Sequence, residues 1–173
     1  MKKLITILAF AALFIFSSDS VSAQVFVAES SASLKINSAR SDTRVETLEN
    51  FLEKYDSPLA PYSQLFIQTA DKYELDWRLI PAIAGVESTF GKRIPYKSFN
   101  AYGWANGEYR FTSWEDSIEI VGQALKTKYE DKGAVSINQI ARRYAPPSST
   151  WASKVKFFMR KIDSYPLEWD LEV

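Results

Sequence analysis

From Thr43 onward the apolar residues of the chain fall into short stripes at helical spacing. Val45, Leu48, Phe51, Leu52 and Tyr55 recur with Glu and Arg between them, which predicts an amphipathic helix. The stretch "DSPLAP" interrupts the pattern at Pro58 and Pro61, and a second stripe follows with Leu65, Phe66, Thr69, Ala70 and Tyr73. Asp76 stands where a helix N-cap is expected. The helix it opens is predicted to kink slightly at Pro81 and to end at Gly91. In "AYGWANGEYRF" the period changes. Asn106-Gly107 between aromatic flanks signals a two-residue hairpin turn, with arms over Tyr102 to Ala105 and Glu108 to Phe111. Thr112 with Glu115, or Ser113 with Asp116, then caps a helix running to about Tyr129. Ser136 with Gln139 opens a short helix through Tyr144, which Pro146-Pro147 stops. Trp151, Val155, Phe158 and Ile162 mark a last helix. The expected fold is mainly α, with one small β-hairpin inserted midway, over roughly Thr43 to Asp163; the tail from Tyr165 is aromatic and acidic.

One residue breaks the third apolar stripe. Ile80, Ile83, Ala84 and Glu87 share a helix face, so a carboxylate projects at or near the side that meets other protein. Two readings follow. Glu87 pairs with a distant cation such as Arg142 or Arg143, or it is partly desolvated without a partner. Desolvation would raise its pKa and make it a proton donor near neutral pH.

The first residues have a different character. "MKK" followed by the apolar run "LITILAFAALFIF" and the small residues Val21-Ser22-Ala23 reads as a secretory signal peptide over residues 1–23, cleaved before Gln24. The run is short of the ~20 residues of a spanning helix, so the membrane is involved only through this segment if it stays uncleaved. Residues 24–42, rich in Ser and Ala, read as a flexible linker. The expected location is outside the cell or in its envelope, for a domain over residues 43–173 that includes the C-terminal tail. A monomer is expected.

Composition narrows the chemistry. Basic and acidic residues balance at 21 each, which offers no bulk charge to attract nucleic acid. The chain has no cysteine and no histidine. That removes the usual ligands of zinc, copper and iron and excludes Ser-His-Asp and Cys-His nucleophilic catalysis. No metal and no cofactor is expected. Acid–base work falls to a perturbed Asp, Glu, Lys or Tyr.

Three segments in order, "LIPAIAGVESTFG", "NAYGW" and "RYAPPSSTWASKV", resemble the lysozyme-like cell-wall hydrolases. The first looks like the catalytic helix of soluble lytic transglycosylases and of the related endo-β-N-acetylglucosaminidases, in which the Glu of the "ES" pair is the general acid. The resemblance implies a lysozyme-like α+β domain, Glu87 as the acid with Ser88 beside it, a glycan-facing segment Asn100-Ala101-Tyr102-Gly103, and Tyr144 at the cleft. It covers roughly Leu65 to Ile162. The transglycosylase "G.MQ" segment has no counterpart here.

Cleavage of a glycosidic bond needs an acid for the leaving oxygen and stabilisation of an oxocarbenium-like transition state. Glu108, just after the predicted turn, is a candidate second carboxylate; its other reading is a solvated turn residue. The substrate's own acetamido group is an alternative to a second carboxylate. Aromatic faces pack on pyranose rings and amides bond acetamido groups. Asn100, Tyr102, Trp104, Tyr109, Tyr144 and Trp151 are the available supply. Trp151 is equally placed in register with the core, and Asn100 is equally suited to a turn or cap. The functional expectation is an exported enzyme that cuts MurNAc/GlcNAc linkages in peptidoglycan strands. The alternative is a non-catalytic glycan-binding or wall-scaffolding module of the same fold.

Overall fold

The computed structural model describes residues 42–166; the predicted signal segment, nearly all of the predicted linker and the end of the tail lie outside them. The first helix, α1 (Thr43–Lys54), is capped by Asp42, whose carboxylate accepts from the Arg44 amide. Its stripe buries Leu48, Phe51 and Leu52 as the spacing requires. A short 3₁₀ turn over Ala60–Tyr62 follows the proline break and leads into α2 (Ser63–Lys72). The third helix, α3 (Leu79–Ser88), is the centre of the domain: Leu79 to Gly85 and Ser88 are all buried. It packs most extensively on α6 (Trp151–Asp163). Between them in sequence lie α4 (Trp114–Ala124) and α5 (Ile137–Tyr144).

The caps read from sequence hold in two places. Ser113 accepts from the Asp116 amide at the start of α4, while the Asp116 carboxylate accepts from the Thr112 amide. Ser136 and Gln139 form a reciprocal capping box on α5. Asp76 differs. It accepts from the Arg78 amide and so closes the turn before α3 rather than capping the helix itself. Because α3 begins at Leu79, Pro81 is its third residue, where a backbone N–H would have had no partner within the helix. α4 continues past Ala124 as a wider π-helical turn over Leu125–Tyr129.

α3 ends at Ser88, not Gly91. Thr89, Phe90 and Gly91 all adopt left-handed backbone, with φ of 55°, 56° and 81°. For a non-glycine residue this costs about 1–2 kcal/mol. The sharp reversal turns Phe90 back beneath its own helix, where its ring is fully buried. Burying such a side chain contributes about 1.5–3 kcal/mol, which offsets much of the strain. Phe90 packs against Phe51, Tyr55 and Phe158 at centroid distances of 5.5, 4.7 and 5.0 Å. At the start of the tail, Tyr165 packs edge-on against Phe51.

The predicted β-hairpin does not form, and there is no strand among the described residues. Ala105 and Asn106 take the positive φ that a tight hairpin turn needs. The arms, however, never extend. Gly103 is also left-handed (φ 68°), and the side chain of Asn100 takes up the backbone groups that a ladder would use. Its amide donates to the carbonyls of Trp104 and Tyr109, and its oxygen accepts from the amides of Tyr102 and Trp104. The segment curls around Asn100 as a turn over Trp104–Gly107. The architecture is therefore helical, with an irregular loop where the hairpin was expected.

Gly85 leaves the room that Phe90 fills: a Cβ there would lie 2.5 Å from the Phe90 ring. Gly85→Ala is expected to destabilise the domain by about 1–3 kcal/mol through overpacking, although alanine is the better helix former by roughly 1 kcal/mol. Chemical denaturation measures this; an unchanged or raised midpoint would show the Phe90 ring to be loosely held.

Candidate active site

Glu87 sits in the last turn of α3, where the helix emerges from the core. Val86 is half-buried and Glu87 itself is exposed, so the carboxylate stands at the rim of the packed face rather than inside it. Among the described residues no cation lies within ion-pairing distance. Arg143 instead donates to the Lys132 carbonyl and Arg142 is exposed, so the ion-pair reading of Glu87 does not hold. The partner is Trp151, the first residue of α6, whose indole N–H donates to Glu87 Oε1 at 2.6 Å.

That bond comes from the helix packing. Trp151 is 3% exposed, and burial of an indole leaves its single N–H in need of an acceptor. α6 lies along α3 and aims the N–H at Glu87. Tyr144, at the end of α5, stacks on the Trp151 ring at 5.0 Å and 28°. Its hydroxyl donates to the Tyr102 carbonyl at 2.6 Å. The tyrosine thus braces the tryptophan, and the tryptophan holds the acid.

The other carboxylate oxygen faces Gly103. A Cβ at residue 103 would fall 2.9 Å from Glu87 Oε2, so the absence of a side chain, as much as the left-handed φ, calls for glycine here. Gly103 also borders a cleft of about 380 Å³ whose walls include Trp104, Tyr109, Lys128, Tyr129 and Tyr144. Gly103 and Tyr144 thus belong both to the cleft and to the surroundings of the acid.

Electrostatics follow from this placement. The protein around Glu87 excludes enough water to raise its pKa above the ordinary 4.5, and the Trp151 N–H opposes that rise in part. Oε1 is occupied as an acceptor, so a proton on Glu87 resides on Oε2, beside Gly103. Burial raises the Tyr144 hydroxyl well above its usual range, and the Glu87 charge adds to this. Tyr144 stays neutral as a hydrogen-bond donor.

Of the other residues expected to meet a ligand, Tyr102, Gly103, Trp104, Tyr109 and Tyr144 border the cleft. Three side chains have different work. Ser88 is buried; its hydroxyl bonds toward the Ala84 and Ala101 carbonyls and accepts from the Gly91 amide. Asn100 is 2% exposed and has every amide hydrogen-bonding group in use within the loop. Tyr102 is 0% exposed, and its hydroxyl has no partner among the described residues. These side chains shape the loop and are not offered to a ligand. Neither Glu87 nor Glu108 is itself among the residues walling the cleft; Glu108 is exposed and, unlike Glu87, makes no side-chain hydrogen bond among the described residues, which fits its solvated-turn reading. Sequence reasoning did not single out Lys128 or Tyr129. It placed Trp151 either in the core or on a sugar, whereas Trp151 is a core residue whose polar edge serves the site.

No protein-family model, curated protein or solved structure matches the chain.

Two predictions follow from the held acid. Trp151→Phe keeps an aromatic ring but removes the indole N–H, and should raise the Glu87 pKa further, as read by NMR of carbon-labelled glutamate. A fall would place the dominant control elsewhere. Since the folded state binds this proton more tightly than the unfolded chain, the stability it contributes is complete below pH 4.5 and is lost as pH rises through the raised folded value. Glu87→Gln removes that dependence. The melting temperature of the variant should therefore gain on wild type as pH rises from about 4.5 toward neutrality. Parallel curves would indicate an unperturbed carboxyl.

Proposed function

We propose that this protein is a peptidoglycan-cleaving enzyme in which Glu87 is the general acid for scission of a glycosidic bond in the glycan strand. The observation that carries the reading is the Glu87 carboxyl itself. It is tethered through one oxygen to a buried indole, has its pKa raised by the protein around it, and has its other oxygen beside Gly103, which borders an aromatic-walled cleft. A helical domain with an irregular loop following the acid-bearing helix agrees with a lysozyme-like fold. We extend the proposal to that fold, to an exported protein, and to glycan strands as the partner.

The chemistry is short. The substrate lies in the cleft with its bridging oxygen near Glu87 Oε2. As the bond from that oxygen to the anomeric carbon breaks, the proton of Oε2 passes to the leaving oxygen, and the sugar left behind acquires oxocarbenium character. The carboxylate so formed sits close to the developing positive charge. It then accepts a proton from whatever attacks the anomeric carbon, a water or a hydroxyl of the sugar, and returns to its starting state. General acid assistance of this kind contributes typically 10²–10⁴-fold. Trp151 holds the carboxyl in one orientation through the cycle, and Gly103 leaves Oε2 open to the leaving oxygen.

The test is clearing of a peptidoglycan gel by the wild-type protein beside Glu87→Gln. Wild type should clear; the variant should lose about 10²–10⁴-fold of the activity. Equal clearing by both removes Glu87 from the chemistry. Clearing by neither folded protein favours a glycan-binding module. Activity should fall as pH rises through the Glu87 pKa, and in Trp151→Phe this limb should move to higher pH. Mass spectrometry of the released ends identifies the attacking group: anhydro ends report a sugar hydroxyl, reducing ends report water.

A further inference from the structure

Half of the residues walling the cleft are aromatic, and Lys128 is the one charged residue among them. A neutral saccharide stacked on Trp104 and Tyr129 gives no reason for an ammonium there. Lys128 is not engaged elsewhere: among the described residues no carboxylate lies within ion-pairing distance of its Nζ. Lys126, two residues earlier, shows the contrast, with Glu74, Glu130 and Asp131 all within 4.0 Å. The π-helical turn over Leu125–Tyr129 carries Lys128 and Tyr129 into the cleft wall together.

The position of the ammonium is informative. Its Nζ stands 5.9 Å from the centroid of the Trp104 ring, near the outer limit of a useful cation–π contact, so the ring holds it only weakly. A pyranose stacked on Trp104 lies at van der Waals distance, roughly 4 Å above the ring. The flexible lysine stem lets Nζ reach toward a substituent on the edge of such a sugar. An ammonium offers three donors and no acceptor, so the group it selects is an anionic acceptor.

We propose that this cleft is a subsite for a saccharide bearing a carboxylate, and that Lys128 is the specificity-determining residue that reads it. The inference rests on the glycan-cleaving reading and adds a discrimination to it. In peptidoglycan the carboxylate has two sources. One is the lactyl ether of a muramic acid whose peptide has been removed, which requires prior hydrolysis of the lactyl amide. The other is an acidic group of the attached peptide.

The experiment is a calorimetric titration of the full-length chain carrying Glu87→Gln, which prevents turnover, against three tetrasaccharides. These are the neutral N-acetylglucosamine oligomer, the alternating muramic acid oligomer with free lactyl groups, and the same oligomer with its peptides attached. At least one acidic oligomer should bind about tenfold or more tightly than the neutral one, as a charged hydrogen bond implies. Adding Lys128→Met should bring the ratio of acidic to neutral binding close to one. Lys128→Arg should retain the preference, and added salt should erode it. Preference for the peptide-free oligomer assigns the lactyl carboxylate; preference for the peptide-bearing one assigns the peptide. Equal binding of neutral and acidic oligomers, or a preference that survives Lys128→Met, overturns the role of Lys128 while leaving glycan cleavage standing. Failure of all three to bind, together with no clearing by the wild-type protein, overturns both.

Discussion

The hydrogen bond from the Trp151 indole to Glu87 joins the two helices that pack most extensively on one another. α3 brings the acid to the end of an almost wholly buried helix, and α6 brings the donor. Neither residue suffices alone. A buried indole without an acceptor leaves an unsatisfied polar group, which costs about 1–3 kcal/mol. A carboxylate at the rim without a tether has two side-chain rotors free to place it elsewhere. The packing of α3 on α6 meets both needs at once, so the geometry of the site is a consequence of the core and not an addition to it.

The loop after α3 is organised by a different device. Asn100 behaves as a substitute for β-sheet: four hydrogen bonds from one amide hold Tyr102, Trp104 and Tyr109 in place of a partner strand. That allows the backbone to pass Glu87 at Gly103 without the flatness of a hairpin. Ser88 ties this loop to the acid-bearing helix through the Ala101 carbonyl. The acid and the cleft are thus joined through backbone atoms as well as through the Trp151–Tyr144 stack.

Helices with clean stripes and capping residues were legible in the sequence. Ser113–Asp116 and Ser136–Gln139 are local signals, and local hydrogen bonds decide them. The hairpin was not legible, because Asn106-Gly107 reports only that the chain reverses. Whether the arms then pair depends on an asparagine six residues earlier that competes for the same backbone groups. Glu87 stood out since a carboxylate in an apolar stripe demands an explanation, but its exposure could not be read from spacing: the helix ends three residues earlier than its glycine suggested. Trp151 was legible as core. Its role as donor was not, since periodicity reports which face a ring occupies and not where its N–H points. Lys128 was hidden because it lies on a helix whose last turn departs from the 3.6-residue period used to assign faces.

That wider turn has a bearing on how the protein can vary. A π-helical turn holds one more residue than the α-helical turn it replaces, so everything after it is set by chain length as well as by residue identity. Losing a single residue from Leu125–Tyr129 would let the segment relax to regular helix and rotate the following side chains by about 100°. One wall of the cleft would be carried away although no residue lining it had been exchanged. Descendants of this chain are freer to change the chemistry of that wall by substitution than to shorten the helix that presents it.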